Sequence, residues 1–258
     1  MKKFTLFILF IAAILCTSCN NHSQPTEEKQ STVGTSTSIE GDSTLYGLAC
    51  HGCTDSVLIF LPGKGGDPVA YNILQANTQG RVIGRPQVGD WVAVIVNGED
   101  SLKADMVIDL DQLKGTWVQL VRPTLRERLV IEGGNVPHEP DDSTLIQKLM
   151  RPVEMGFSLK RHYSAQAIGR RYGLSSTENS PVIYPVPRNY TGWHVINGQL
   201  VLTVEEQSAD TTAVPKTEND TASFVMMLKD SLVLKFGDEV KHYYRRHEQA
   251  SADSSGRK

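Results

Sequence analysis

The chain has 258 residues, with 26 Lys or Arg against 29 Asp or Glu and a formal net charge of −3. That balance excludes the basic footprint of a nucleic-acid binder, and the length is enough for one large or two modest folded domains. Four cysteines are too few for a scaffold held together by disulfides.

Residues 1–18 begin with Lys2 and Lys3, continue as an apolar run from Phe4 to Leu15 and end in Cys16-Thr17-Ser18, directly before Cys19. A basic flank, a short hydrophobic stretch and small residues before a cysteine describe a secretory signal peptide ending in a lipobox. As a helix the run covers about 18 Å, short of the roughly 30 Å hydrocarbon core, so it is read as a cleaved leader and not as a membrane span. Cys19 is the expected acylated residue, because Ser18 supplies the small residue that cleavage needs. Taking Cys16 as acceptor would place bulky Leu15 there, although with Cys19 the position three residues upstream, usually Leu, is Cys16. Cleavage removes two lysines and no acid, taking the formal charge from −3 to −5. Two or three acyl chains, each methylene contributing about 0.8 kcal/mol, hold such a protein on a membrane. Asn20 in place of Asp after the lipidated cysteine points to the outer membrane. Residues 19–42 are polar and small, with Val33 and Ile39 isolated, and form a tether with a span of about 25 Å. Residues 249–258 make a similar polar tail.

Residues 43–112 read as β. The runs TLYGLA, SVLIFLP, GRVIG, DWVAVIVNG and ADMVIDL are separated by turn clusters such as Gly63-Lys64-Gly65-Gly66-Asp67 and Val88-Gly89-Asp90. Five short strands predict a small OB-like closed barrel. Trp91 to Val96 is apolar on both faces, as in a strand covered from both sides. Residues 68–75 are read as one or two turns of helix.

Residues 113–248 read as a second β domain beginning at Leu113-Lys114-Gly115-Thr116-Trp117-Val118. Thr124 to Ile131 carries a helix signal, with Thr124 and Glu127 as a capping box and Gly133-Gly134 as a stop. An irregular connector over 135–155 leads to clean alternation: Phe157 and Leu159 against Ser158 and Lys160, then Ala165 and Ala167 against Gln166 and Ile168. Trp193 to Ile196 and Gln199 to Val204 flank Asn197-Gly198, a strong hairpin signal. After a polar insertion, Ser223 to Leu228, Ser231 to Phe236 and Glu239 to Arg245 are joined by tight turns. At least six strands of this kind imply an up-and-down antiparallel barrel or half-barrel. The expected fold is therefore all-β, an OB-like barrel followed by a larger antiparallel barrel.

The second half resembles the lipocalin-like domains of Bacteroidota lipoproteins. The likeness is carried by Leu113-Lys114-Gly115-Thr116-Trp117, Gly156-Phe157-Ser158-Leu159, Trp193 to Leu202, and Lys229 to Leu234 with Tyr243-Tyr244-Arg245-Arg246. The resemblance implies the barrel fold and leaves the role open between a barrel that takes a small apolar or amphipathic ligand and an accessory protein that contacts other envelope proteins. Gly47-Leu48-Ala49-Cys50-His51-Gly52-Cys53 is similar to the opening of the NlpE family of outer-membrane lipoproteins. That likeness implies a link to copper or envelope stress; the family places its Cys pair in the lipocalin-like barrel, not in the OB-like one.

Cys50 and Cys53 are the candidate reactive pair. Extended backbone would hold their Cα atoms about 10 Å apart, beyond the roughly 7 Å limit for a bridge, so a turn at His51-Gly52 is required if they pair. A local disulfide suits an oxidising compartment; a thiol pair binding Cu(I), with His51, is the alternative. No thioredoxin-like pattern surrounds them. The glycine-rich 63–67 segment lacks the Gly-Lys-Ser/Thr ending of a phosphate loop and is read as a turn. His162, His194 and His242 fall at strand positions without ligand spacing, and Asp105, Asp109 and Asp111 are read as solvated more readily than as a cation site. Asn189-Tyr190-Thr191 matches a glycosylation sequon, which a bacterial leader makes irrelevant. No nucleophile signature is present, so neither an enzyme nor a cofactor is expected. Trp117, Phe157, Trp193 and Phe224 are expected to fill the barrel core.

Overall fold

The computed structural model describes residues 41–125, 147, 150–169, 182–206 and 216–247. Leu45–Ala49 (β1), Val57–Pro62 (β2) and Val69–Asn72 (β3) form an antiparallel meander, and a short helix follows at Leu74–Thr78. Val82–Ile83 (β4), Trp91–Val96 (β5) and Ala104–Asp109 (β6) complete a six-stranded sheet of order β3-β2-β1-β5-β6-β4. A parallel bridge between Asn72 and Lys103, with the Asn72 N–H donating to Leu102 O at 2.8 Å, joins the end of β3 to the approach to β6. Strands β1, β2, β3, β6 and β5 therefore return on themselves. This is the connectivity of an OB-like five-stranded barrel, with its helix after the third strand.

Two local readings of the sequence change. Residues 68–75 divide into a strand, 69–72, and the approach to the helix at 74–78, because Val69 and Tyr71 pair with Phe60 and Leu58 and Tyr71 is buried against the Phe60 ring. The GRVIG run, expected to be a barrel strand, supplies only two paired residues, parallel to β6 and outside the ring.

Gly115–Val121 (β7) starts the second barrel, after a four-residue helix at Leu110–Leu113 that Asp109 caps by accepting the Gln112 N–H at 2.9 Å. Thr124–Leu125 (β8) is followed by Val153–Leu159 (β9), Ala165–Ile168 (β10), Val182–Ile183 (β11), Tyr190–Ile196 (β12), Gln199–Glu206 (β13), Lys216–Met227 (β14), Ser231–Phe236 (β15) and Glu239–Arg245 (β16). Eight of these make one antiparallel sheet, β10-β9-β7-β16-β15-β14-β13-β12, and a Ser164↔Gly192 bridge brings its two edges together. Apart from the separate β8–β11 pair, every strand neighbours the next along the chain. The result is the up-and-down, lipocalin-like barrel. The helix expected from Thr124 does not begin there. Thr124 and Leu125 are extended because Ile183 and Val182 supply their backbone partners; the rest of that stretch lies outside the described residues. Of the 135–155 connector, Val153, Glu154 and Met155 belong to β9.

The apolar double face of β5 now has its cause. Val92 and Val94 enter the OB-like core with Leu58, Phe60, Tyr71 and Val107. Ala93, on the opposite face, joins Ile108, Leu110 and Leu113 in a core continuous with Trp117, Phe157, Trp193 and Leu200 of the second barrel. One end of the larger barrel is thus covered by the smaller one. Tyr46 Oη donates to Val195 O, and Asn197 N donates to Thr44 Oγ1 at 2.9 Å. Asn197 and Gly198 both have positive φ, 48° and 78°, the geometry of a tight hairpin turn. A Cβ on Gly198 would lie 2.8 Å from Met106 Sδ, so the turn is seated against β6.

Candidate functional site

Strand pairing identifies the inner face of the larger barrel, because directly paired residues point to the same side. Trp117 pairs with Phe157, Trp193 with Leu202, Val195 with Leu200, Leu200 with Ala222, and Leu232 with Tyr243. These positions are buried, and from the covered end up to Phe157 the interior is filled by apolar and aromatic side chains, as expected of Trp117, Phe157 and Trp193. Phe224 is partly buried and packs against the same core.

Toward the far end the same inner positions become polar. Leu202 pairs with Asp220, Val204 with Glu218, and Leu234 with Lys241. Tyr190, opposite Val204 across a β-bulge, donates to Asp220 Oδ2 at 3.2 Å. Arg188 holds the other Asp220 oxygen at 2.5 Å and Glu218 at 3.0 Å. Lys241 stands 5.3 Å from the centre of the Phe236 ring and pairs with Glu239 at 3.2 Å. Beneath this polar rim, Phe157 meets Tyr243 at 5.1 Å and Tyr190 edge-on at 6.1 Å between ring centres. Burial, reinforced by the Asp220 carboxylate, pushes the Tyr190 hydroxyl well above the ordinary phenol range; burial does the same to Tyr243, with Tyr190, Glu239 and Asp220 adding to it. Both phenols are therefore neutral donors at physiological pH. Phe157 and Tyr243 are buried and Tyr190 is half-buried, so a molecule reaching this layer would meet Tyr190 and the Asp220 carboxylate first.

The sequence-based candidates lie elsewhere. Cys19 falls outside the described residues. Cys50 and Cys53 sit in the β1–β2 turn of the OB-like barrel, where Gly52 takes φ 99°, so the required turn at His51-Gly52 is present. Both thiols are free and half-buried. Cys53 Sγ accepts the Ile59 N–H at 3.3 Å and donates to Cys50 O at 3.0 Å, whereas Cys50 Sγ has only a 3.9 Å contact with Leu48 O. Among the described residues no three His, Cys, Asp or Glu side chains converge as a metal site. Asp105, Asp109 and Asp111 do not share a site: Asp105 accepts from Asn97, Asp109 caps a helix, and Asp111 binds Lys114 and the Trp91 N–H. His194 stacks on Tyr163 at 4.6 Å, while His162 and His242 are exposed. The residues of this layer that sequence reasoning missed were Arg188, Tyr190, Asp220 and Tyr243. Their signal was polar residues in the inward phase of otherwise apolar strands: Glu218 and Asp220 two apart before Ala222, and Lys241 before Tyr243.

No family model matches the chain, and no curated protein does. The crystal structure of a lipocalin-like protein from Bacteroides thetaiotaomicron VPI-5482 is similar to it at 15% identity, over 52% of this chain and 95% of that one, with a TM-score of 0.28.

Proposed function

We propose that this chain is a lipid-anchored protein of the bacterial envelope, held by Cys19, whose lipocalin-like barrel binds a small apolar or amphipathic molecule at the end away from the OB-like barrel. The observation that carries the reading is the change along the barrel's inner face, from a packed apolar floor to the Phe157, Tyr190 and Tyr243 rings under a polar rim. Binding sites for small molecules combine an apolar lining with a few placed polar groups. Outer-membrane placement rests on the leader and on Asn20.

Native mass spectrometry of protein extracted from its own envelope tests the ligand: a retained small molecule is expected, and Ala167→Trp, which places an indole beside Phe157 on the inner face, should abolish it. Retention undiminished by that change would overturn the site. Cys19→Ala should release the chain from membranes or leave its precursor uncut; unchanged cleavage and sedimentation would overturn the anchor.

A protein-contact role draws on a different observation. Leu120, Tyr244 and Met226 share the outer face of β7, β16 and β14 and are exposed. In the same spectra a co-purifying protein without a small molecule would favour that role.

A further inference from the structure

The four residues that precede β1 in the smaller barrel take hold of the larger one. Gly41, with φ 82°, turns the chain so that Asp42, Ser43 and Thr44 run along the Asn197-Gly198 turn between β12 and β13. Asn197 Oδ1 accepts the Ser43 N–H at 2.9 Å and the Ser43 hydroxyl at 2.8 Å, and its Nδ2 donates to Gly41 O at 3.0 Å. The Asn197 backbone N–H is shared between Thr44 Oγ1 at 2.9 Å and Asp42 Oδ1 at 3.3 Å. Asp42 also accepts the Thr44 N–H at 2.9 Å and, through Oδ2, the Tyr46 hydroxyl at 2.9 Å, which is shared with Val195 O.

A two-residue hairpin turn needs positive φ, which glycine or aspartate supplies as well as asparagine. The turn alone therefore does not account for the Asn197 amide, whose oxygen and nitrogen are both engaged by residues that lie more than 150 positions earlier in the chain. Strand β1 lies between β2 and β5, and its first pair with β5 is Leu45↔Val94. A pull on the chain ahead of Gly41 would otherwise fall on that end of β1 alone. With Asn197 engaged, it is divided with the β12–β13 hairpin, which is paired from Ile196↔Gln199 to Tyr190↔Val204. Resting on the anchored-lipoprotein reading above, we infer that Gly41 to Thr44 form a strap, with Asn197 as its positioning residue, through which tension from the membrane anchor reaches both barrels at their seam.

Hydrogen exchange of the full chain in detergent, resolved to single amides by mass spectrometry, tests the strap. The Ser43 and Thr44 amides should exchange at least about ten-fold more slowly than in an unstructured peptide. Asn197→Gly keeps the turn and should return Ser43 to the unstructured rate while the β12–β13 amides stay protected. Asn197→Asp removes the donor to Gly41 O and sets a carboxylate beside Asp42, so it should also release Ser43 at neutral pH, and adding Asp42→Asn should restore part of the protection. An unprotected Ser43 in the parent chain, protection that survives Asn197→Gly, or no rescue by Asp42→Asn overturns the strap. Its mechanical role is read in an optical trap, with one handle at the N terminus and one in the 249–258 tail. The first rupture should come at lower force in Asn197→Gly than in the parent, and equal forces overturn the sharing of tension. Neither measurement requires acylation of Cys19, so failure of the anchor in the Cys19→Ala experiment is distinguishable from failure of the strap.

Discussion

Arg245 ties the two barrels together, and its loss has a size that can be worked out. It lies at the covered end of β16, with its guanidinium 4.1 Å from the centre of the Trp117 ring. Nε donates to Lys229 O at 2.7 Å, Nη1 to Lys114 O at 2.8 Å and Nη2 to Gln112 O at 2.5 Å, so one side chain satisfies two carbonyls of the inter-barrel segment and one of the β14–β15 turn. At 17% side-chain exposure these bonds are partly shielded from water. Each is taken at about 1 kcal/mol net and the cation–π contact at about 1 kcal/mol, while the 4.0 Å approach to exposed Asp230 is given nothing. Arg245→Met keeps an apolar stem over Trp117 and should cost about 3–4 kcal/mol. With a urea slope of about 2 kcal/mol per M, the unfolding midpoint should fall by roughly 1.5–2 M.

Arg245→Lys should recover less than half of that loss, because an ammonium group cannot reach three divergent carbonyls. Gly115 supplies an independent check. It has φ 134°, and a Cβ there would collide with Arg245 Nη1, so Gly115→Ala should displace the guanidinium as well as strain the backbone. Combining Gly115→Ala with Arg245→Met should then cost clearly less than the two separate losses added. The reasoning is refuted by a loss below about 1 kcal/mol for Arg245→Met, by full rescue with Lys, or by strict additivity.

Three further outcomes are expected. Gly198→Ala combines a positive φ with the 2.8 Å approach to Met106 Sδ and should lower stability by about 2 kcal/mol, measured by urea unfolding, while Met106→Ala should relieve part of the loss in the double variant. Asp109, 1% exposed, has its carboxyl pushed up to about 6, first by burial and then by the neighbouring Asp90 and Asp111 charges. The folded state therefore holds this proton more tightly than the unfolded chain, and stability from this group is highest below about pH 4 and declines toward pH 6. Asp109→Asn preserves the helix cap; the stability difference, variant minus parent, should grow across that window, and a flat difference in pH-dependent melting would contradict the assignment. In the Cys pair, Cys53→Ala should cost about 1–1.5 kcal/mol, because it leaves the Ile59 N–H without an acceptor, and Cys50→Ala should cost less. Equal losses without reductant would instead mean that the two are bridged.

Strand alternation and turn residues made most of the larger barrel legible. Asn197-Gly198, Lys229-Asp230 and Gly237-Asp238 each mark a tight connection, and each flanking run keeps one face apolar. Strand β14 was only half visible, since its first half, Lys216 to Asp220, carries Glu218 and Asp220 where an inward face is expected to be apolar. That interruption is the rim of the candidate site, so the feature that concealed the strand is also the one that gives it a function. Val69 to Asn72 was missed for another reason. Four residues beside a proline carry little periodicity, and they become a strand only because β2 presents a free edge to them. The cysteines stood out in sequence for their rarity, a property that has no bearing on where the barrel turns polar.

The cover over one end of the larger barrel closes that end to a ligand. At that end the Asn197-Gly198 turn is seated against Met106, Met227 lies where a Cβ on Gly84 would meet it at 2.8 Å, and Arg245 lies across Trp117. Above them the Trp117, Phe157, Leu200 and Leu202 layers are closely packed, so passage through the junction would require separating a core common to both barrels.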